Sequence, residues 1–260
     1  MKTTRPEAII LSGYGLNCEE ETAFAFKSAG VDASIVHVED VIARPSLLRR
    51  YQILTVPGGF SFGDHAGAGA AYANKLANHL SDELARFLER DTLVLGICNG
   101  FQILTRLGFL PGSLTHNDVP RYVDRWVDLA VSEGGGPWLE GIEQLSLPIA
   151  HGEGKYHIDD HGLAQLKQTG AIASRYARGE ISRHFNLVYN PNGSRDDIAG
   201  VTAYNGRVLG LMPHPERAMH VTHLPHFTYV RETLRRRGER LPKHGPGLQI
   251  FENAYRYYAG

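Results

Sequence analysis

The sequence is short of cysteine, and this shortage excludes two classes of protein. Only two cysteines, Cys18 and Cys98, occur among the 260 residues. Small secreted proteins that depend on disulfide bonds carry many more. Two cysteines also cannot by themselves supply the ligands of a four-coordinate zinc site. We therefore expect a fold that is stabilised by its hydrophobic core.

Long apolar runs and a strong charge excess are missing as well. No stretch approaches the roughly 18 apolar residues of a transmembrane helix, and the apolar run at 8–11 is shorter than the roughly 7–15 residues of a signal peptide. The net charge is −1, from 27 Lys+Arg against 28 Asp+Glu. Proteins that bind nucleic acid usually show a basic excess. The sequence thus predicts a soluble cytoplasmic protein that binds neither membrane nor nucleic acid.

The first part of the chain contains a regular alternation of short apolar runs and segments of helix length. This alternation is typical of βαβ units, and continuous apolar strands are typical of a parallel sheet that is covered on both faces. We therefore predict an α/β fold with a mostly parallel central sheet and helices on both faces. We expect the long helix at 69–90 to break at Ser81, a residue that can begin a new helix. The predicted strands are 8–11, 33–38, 52–56 and 92–97, and the predicted helices are 19–28 and 69–90.

The second part of the chain is richer in turns. Asn205-Gly206 predicts a tight hairpin, because both residues adopt positive φ angles readily. No repeat or linker composition divides the chain, and its length fits one large α/β domain, so we expect a single domain over residues 1–260. The predicted strands are 126–131, 145–150, 171–176, 198–204 and 208–212, and a last helix is predicted at 247–258.

The motif Gly-Ile-Cys-Asn-Gly at 96–100 indicates a nucleophile. It follows a buried strand and precedes a helix expected to begin near Phe101, which is the layout of a nucleophile elbow. The helix N-terminus would favour the thiolate of Cys98. The alternative is a core cysteine at the end of a strand. The flanking glycines favour the nucleophile, because they allow close approach of the backbone on both sides of the turn.

A nucleophilic cysteine needs a base, and the base needs a group that orients it. His214 and Glu216 follow a predicted strand, and the prolines on both sides of His214 favour extended backbone. In extended chain, residues two apart point the same way, so Glu216 can hold the imidazole of His214. The alternative is a polar turn without chemistry, and spacing alone does not separate the two.

A glycine pair at the end of another core strand completes the candidate site. Gly58 and Gly59 follow the strand at 52–56, at the edge where ligands bind in open α/β sheets. A backbone N–H of this loop, together with that of Asn99, would hold an oxyanion. Glycine-rich loops also bind phosphate, but no Gly-Lys-Ser/Thr follows here, which argues against a nucleotide-binding P-loop.

Together these segments resemble the class I glutamine amidotransferases, which use a Cys-His-Glu triad. Within that class they are similar to the glutaminase subunits of purine biosynthesis, and the resemblance covers most of the chain. The elbow and the His-Pro-Glu motif indicate the class but not a particular member of it. The motifs that carry the narrower resemblance are Gly-Leu-Asn-Cys at 15–18, Pro-Gly-Gly-Phe-Ser-Phe-Gly-Asp at 57–64, Leu-Thr-His-Asn at 114–117, Pro-Ile-Ala-His-Gly-Glu-Gly at 148–154 and Asn-Pro-Asn-Gly-Ser at 190–194.

The resemblance implies a three-layer, flavodoxin-like fold and a chemistry for each residue. Cys98 would attack the side-chain amide of glutamine, His214 would act as acid and base, and Glu216 would orient His214. Gln102, one helical turn after Cys98, matches a glutamine-binding position. The backbone N–H groups of the Gly58-Gly59 loop and of Asn99 would hold the oxyanion.

The resemblance also implies a partner, because the chain shows no ATP site of its own. Ammonia would pass to a large synthetase subunit, where ATP and Mg²⁺ would activate formylglycinamide ribonucleotide. A further small subunit is compatible with the resemblance, and no cofactor is expected in this chain. Two alternatives differ in function: a stand-alone cysteine hydrolase, such as a γ-glutamyl hydrolase or an intracellular peptidase, and a regulatory module without catalysis. The purine-specific motifs disfavour the first, and the intact triad disfavours the second.

Residues 217–260 form a C-terminal extension relative to short forms of such subunits. They carry eight basic against three acidic residues, and the basic stretch at 231–243 is where we expect a partner surface. His220, His223 and His226 fall three apart in this extension. Because no cysteine or carboxylate follows at a matching spacing, we expect no metal site. The resemblance implies that His151 and Glu153 belong to a loop near the glutamine site. The alternative is a glycine-rich turn held by polar contacts, and we assign these two residues no chemistry.

Overall fold

The computed structural model describes residues 5–65, 67–133 and 135–259, and its centre is a mixed β-sheet. In the described residues this sheet has nine strands, and two further short strands form a separate ribbon. The strands of the main sheet are β1 (Glu7–Ser12), β2 (Asp32–His37), β3 (Ile53–Val56), β4 (Leu93–Ile97), β6 (Val123–Val131), β7 (Gln144–His151), β9 (Ile172–Ala177), β10 (Ile198–Ala203) and β11 (Val208–Leu211), and the ribbon pairs β5 (Ser113–Thr115) with β8 (Lys155–His157).

Helices surround this sheet. The α-helices are α1 (Glu19–Ser28), α2 (Val38–Ala43), α3 (Ala70–Glu89), α4 (Asn99–Arg106), α5 (Asp160–Thr169), α6 (Glu180–His184), α7 (Phe227–Arg237) and α8 (Leu248–Ala259). Short 3₁₀ turns lie at Pro45–Arg50, Ser61–Asp64, Pro137–Leu139, Arg195–Asp197, Pro215–Arg217 and Val221–His223. In the described residues no helix is both long enough and apolar enough to cross a membrane.

The strand order β2-β1-β3-β4-β11-β10-β9-β6-β7 explains how distant motifs meet. The first five strands in this order are parallel, and the remaining four extend the sheet in antiparallel pairs. Strands β3, β4 and β11 are buried at every residue, which requires cover on both faces of the sheet. Because β4 and β11 are parallel neighbours, with Ile97 beside Leu211, the chain leaves both strands at the same edge.

The predicted break in the long helix is wrong. Helix α3 runs without interruption through Ser81. Leu76, Leu80 and Leu84 are all buried at intervals of four residues, so one apolar stripe continues past Ser81 and fixes a single helix. The following helix, α4, begins at Asn99, two residues before the predicted start near Phe101.

The predicted hairpin is confirmed, and the C-terminal residues form two helices. Asn205 and Gly206 have φ angles of 56° and 82° between the antiparallel strands β10 and β11. Helix α8 lies where a last helix is predicted, and the ring of its Phe251 meets Phe26 of α1 edge-on, with 4.9 Å between ring centroids. Helix α7 is not predicted from the sequence. Phe227, Val230 and Leu234 fall at helical spacing, but four of its eleven residues are arginine and none of its residues is buried.

Candidate active site

Cys98 sits at a strained turn between β4 and α4. Its backbone has φ 51° and ψ −106°, a conformation that costs free energy in a non-glycine residue and is typical of functional sites. The flanking glycines are required by contact. A Cβ on Gly96 would lie 2.6 Å from a methyl group of Leu104, and a Cβ on Gly100 would overlap the carbonyl group of Val56. The geometry is that of the predicted nucleophile elbow.

His214 and Glu216 form a buried hydrogen-bonded pair beside this turn. Nδ1 of His214 lies 2.6 Å from Oε1 of Glu216, and each residue is only 2% exposed. The backbone N–H of His214 donates to the carbonyl of Pro148 at 2.8 Å, which fixes the segment after β11 against β7. Because Glu216 accepts from Nδ1, the other ring nitrogen, Nε2, is the one available to Cys98.

The charges of this cluster support an imidazolium. Burial opposes the charge on His214, but the carboxylate of Glu216 and then the thiolate of Cys98 outweigh it, so the pKa of His214 lies well above its usual range. Nε2 of His214 is buried, and within the described residues it has no hydrogen-bond partner. Sγ of Cys98 lies 3.6 Å from the carbonyl oxygen of Ala150. A proton on Nε2 is thus ready to be given to a reacting group.

The predicted oxyanion loop, residues 57–59, follows β3 and lies against the ring of His214. A Cβ on Gly58 would lie 2.7 Å from Cε1 of His214. The carbonyl of Gly58 accepts from the backbone N–H groups of Asn17 at 3.1 Å and Cys18 at 3.2 Å. Gly59 has φ 154°, and a Cβ there would lie 2.7 Å from the Cα of Leu16. The loop is therefore braced by the segment before α1, a role that sequence reasoning missed although that segment is rich in glycine.

Asn99 contributes its side chain as well as its backbone. Its Oδ1 accepts from the backbone N–H of Ser61 at 3.1 Å, and its Nδ2 donates to Oε1 of Gln102 at 2.8 Å. Nε2 of Gln102 in turn donates to the carbonyl of Glu153 at 2.6 Å. The amide of Gln102 is thus engaged at both ends, which fixes the loop after β7 beside the elbow. The assignment of Gln102 as a direct contact to glutamine stays a prediction.

His151 and Glu153 do not pair with each other. Asn117 uses Oδ1 to accept from the backbone N–H of Gly154 and lies 3.1 Å from Nδ1 of His151, so Nδ1 carries the proton. Burial, together with the nearby charge of His214, lowers the pKa of His151 to about 4, and its ring is neutral. Oε2 of Glu153 accepts from the backbone N–H of Ala68 at 3.3 Å.

One group of three side chains in the described residues has ligand atoms near enough to one another to hold a metal ion. Atoms of Cys18, His214 and Glu216 lie within 4.8 Å of one another. The guanidinium of Arg217 donates to the sulfur of Cys18 at 2.9 Å, and its charge repels a cation, so we assign no metal to this group.

The three histidines of the extension are not brought together into such a group. The ring of His226 lies 3.0 Å from a carboxylate oxygen of Glu180. The rings of His220 and His223 meet edge-on, with 5.1 Å between centroids. The expectation that this chain binds no metal stays a prediction.

Comparison with known proteins identifies the family. The sequence model of the CobB/CobQ-like glutamine amidotransferase domain matches residues 5–258. The chain belongs to this glutamine amidotransferase family. Among curated relatives of the amidotransferase, the phosphoribosylformylglycinamidine synthase subunit PurQ of Methanococcus maripaludis is 40% identical over 97% of each chain. The PurQ subunit of Dehalococcoides mccartyi is 36% identical over 98% of each chain.

Solved structures agree with the fold of the amidotransferase. A chain in the structure of PurLQS from Thermotoga maritima superposes with a TM-score of 0.72 at 32% identity, covering 98% of this chain and 99% of that chain. Another glutamine amidotransferase from Thermotoga maritima, at 15% identity and a TM-score of 0.52, covers 98% of this chain and 93% of that chain and supports the fold alone. The predicted fold class and the predicted family are confirmed.

Proposed function

We propose that this chain is the glutaminase subunit of phosphoribosylformylglycinamidine synthase. Near-full-length relatives carry that subunit name, and the related solved structure is that of PurLQS. The observation that carries the chemistry is the 2.6 Å contact between His214 and Glu216 beside the elbow of Cys98. These relatives do not favour a stand-alone hydrolase or a regulatory module.

The first half of the reaction forms a thioester. The thiolate of Cys98 attacks the side-chain carbonyl carbon of glutamine, and the carbonyl oxygen becomes an oxyanion. The backbone N–H of Asn99 and an N–H of the Gly58-Gly59 loop donate to that oxygen. As the C–N bond breaks, His214 gives its Nε2 proton to the leaving nitrogen, which departs as ammonia. Glutamate remains attached to Cys98 through its side-chain carbonyl.

The second half of the reaction releases glutamate. Nε2 of His214, now neutral, takes a proton from water as the water oxygen attacks the thioester carbonyl carbon. The C–S bond then breaks, so glutamate leaves and the thiolate–imidazolium pair is restored. Throughout, Glu216 holds the proton on Nδ1 and stabilises the charged ring of His214.

The ammonia is consumed by a partner. We propose that it passes to the large synthetase subunit, where ATP and Mg²⁺ activate formylglycinamide ribonucleotide for conversion to formylglycinamidine ribonucleotide. A further small subunit is proposed by analogy with the PurLQS assembly. Residues 1–260 are proposed as one domain, with 217–260 as its extension. The location of the complex in the cytoplasm stays a prediction from the sequence.

The basic stretch at 231–243 remains the proposed partner surface. It covers most of α7, a helix with no buried residue. Arg235 and Arg236 both pair with Glu232 at 2.8 Å, which keeps their guanidinium groups along one exposed side of the helix.

The proposed function is tested with the variant Cys98→Ala in the reconstituted complex. We expect loss of glutamine-dependent synthesis, because no thioester can form, while synthesis from added ammonium chloride continues at the parental rate. Loss of the ammonia-dependent activity in a folded complex would contradict this division of labour. The isolated chain should also hydrolyse glutamine more slowly than the complex does.

A further inference from the structure

A second buried thiol lies next to the catalytic pair and has no part in the mechanism above. Cys18 is 1% exposed, and its sulfur is within 4.8 Å of ligand atoms of both His214 and Glu216. Its backbone N–H is fixed by the carbonyl of Gly58 at 3.2 Å. The side chain is therefore held in place between the oxyanion loop and the pair that activates the nucleophile.

The sulfur of Cys18 is occupied on its other side by a cation. Nη2 of Arg217 donates to the sulfur at 2.9 Å, and the thiol of Cys18 donates to Oδ1 of Asn17 at 3.6 Å. Burial raises the pKa of the Cys18 thiol, so at neutral pH the sulfur is uncharged. A guanidinium is thus bound to a weak, neutral acceptor, although carboxylates are the acceptors it prefers.

The carboxylate of the preceding residue, Glu216, is a stronger acceptor for the same guanidinium. Oε2 of Glu216 is buried, and within the described residues it has no hydrogen-bond partner. Glu216 and Arg217 are neighbours in sequence. An ion pair between them would neutralise the carboxylate that stabilises the imidazolium of His214. The sulfur of Cys18, together with Glu21, whose Oε1 lies 3.4 Å from Nε of Arg217, keeps the guanidinium in its observed place.

We propose that Cys18 is a positioning residue that holds the guanidinium of Arg217 away from Oε2 of Glu216, so that the full carboxylate charge acts on His214. The proposal rests on the proposed roles of His214 and Glu216 in glutamine hydrolysis. The sulfur of Cys18 also lies beside the ring of His214. The proposed effect is the part that passes through Arg217 and Glu216, and the double variant below separates it from the direct contact.

The expected effect is on the pH range over which His214 stays charged. If the guanidinium moves onto Glu216, the imidazolium loses its stabilising charge and gives up its proton at lower pH. The alkaline limb of glutamine hydrolysis, which is the fall of kcat/KM as the pH rises, then moves to lower pH. The titratable and charged groups that face His214 are Glu216 on its own segment, Cys98 at the start of α4, Cys18 before α1, His151 at the end of β7 and Tyr122, with Arg217 beyond Cys18.

The test measures kcat/KM for glutamine against pH in the complex with its synthetase partner. Cys18→Ala should move the alkaline limb down by about one pH unit or more, the usual effect of one nearby charge. Cys18→Ser, whose hydroxyl still accepts from Arg217, should keep the parental limb. The double variant Cys18→Ala/Arg217→Gln should restore it, because no guanidinium is left to bind Glu216.

Two surface variants test the same idea without altering the core. Glu21→Gln weakens the outer contact of Arg217 and should move the limb in the same direction by a smaller amount. Glu20→Gln, at the exposed neighbouring position, is the matched control and should move nothing.

A parental alkaline limb in folded Cys18→Ala, or a limb that stays low in the double variant, would overturn the proposal. If Cys18→Ala does not fold, an alkaline limb that is lowered in Arg217→Gln alone would overturn it. The proposed function itself fails on a separate observation, the retention of glutamine-dependent synthesis by Cys98→Ala.

Discussion

Replacing Glu216 with glutamine removes a charge while keeping the shape of the side chain. Two unit charges 2.6 Å apart attract by about 6 kcal/mol at an effective dielectric constant of about 20. The oxygen of the new amide can still accept from Nδ1 of His214, so part of this stabilisation survives. We expect Glu216→Gln to lose about 3–5 kcal/mol of transition-state stabilisation, or roughly 10²- to 10⁴-fold in kcat.

The assay is glutamine hydrolysis by the complex under saturating glutamine, with ammonia-dependent synthesis as the internal control. The control rate should stay at the parental value, because the proposed role of Glu216 is confined to glutamine hydrolysis. Thermal unfolding reports whether the substitution disturbs the fold. A kcat within about threefold of the parent, in a folded variant, would refute the conclusion that the charge of Glu216 sustains His214.

Three further predictions follow from individual contacts. Gly100→Ala places a Cβ 2.7 Å from the carbonyl carbon of Val56, so it should destabilise by more than about 3 kcal/mol in urea unfolding. Gly108→Ala, with a positive φ but open space around it, is the control and should cost about 1 kcal/mol. Asp128 accepts three backbone N–H groups at the start of α6, and Asp128→Ala should cost about 2–4 kcal/mol in the same assay. The folded site raises the pKa of His214, so the fall of kcat/KM for glutamine with rising pH should lie well above the ordinary histidine pKa of about 6.5. A fall centred near that ordinary value would contradict a charged ring on His214.

The elbow at Cys98 and the contact between His214 and Glu216 could be predicted from the sequence, because each depends on local rules. The spacing of glycines around Cys98 reports a close backbone approach, and the prolines around His214 report extended chain. The sequence alone did not decide whether His214 lies near Cys98 or in a separate polar turn. Since β11 lies beside β4, His214 is delivered to the same edge as Cys98.

Contacts between distant segments could not be predicted. The side chain of Asn99 bonds to the backbone of Ser61, 38 positions away, and Arg217 reaches Cys18 across 199 positions. No periodicity or motif encodes such pairs. The break expected at Ser81 is a different kind of error, in which a local signal was given too much weight. Serine can begin a helix, but burial of the leucines around it keeps α3 continuous.

The role of Cys98 is tested most directly by labelling with a diazoketone analogue of glutamine. The analogue reacts covalently with a cysteine that attacks the side-chain carbonyl, and peptide mass mapping distinguishes the two cysteines of the chain, Cys98 and Cys18. We predict one label per chain, attached to Cys98, and no label in Cys98→Ala. Attachment to Cys18, or stoichiometric labelling of Cys98→Ala, would contradict the assignment of the nucleophile.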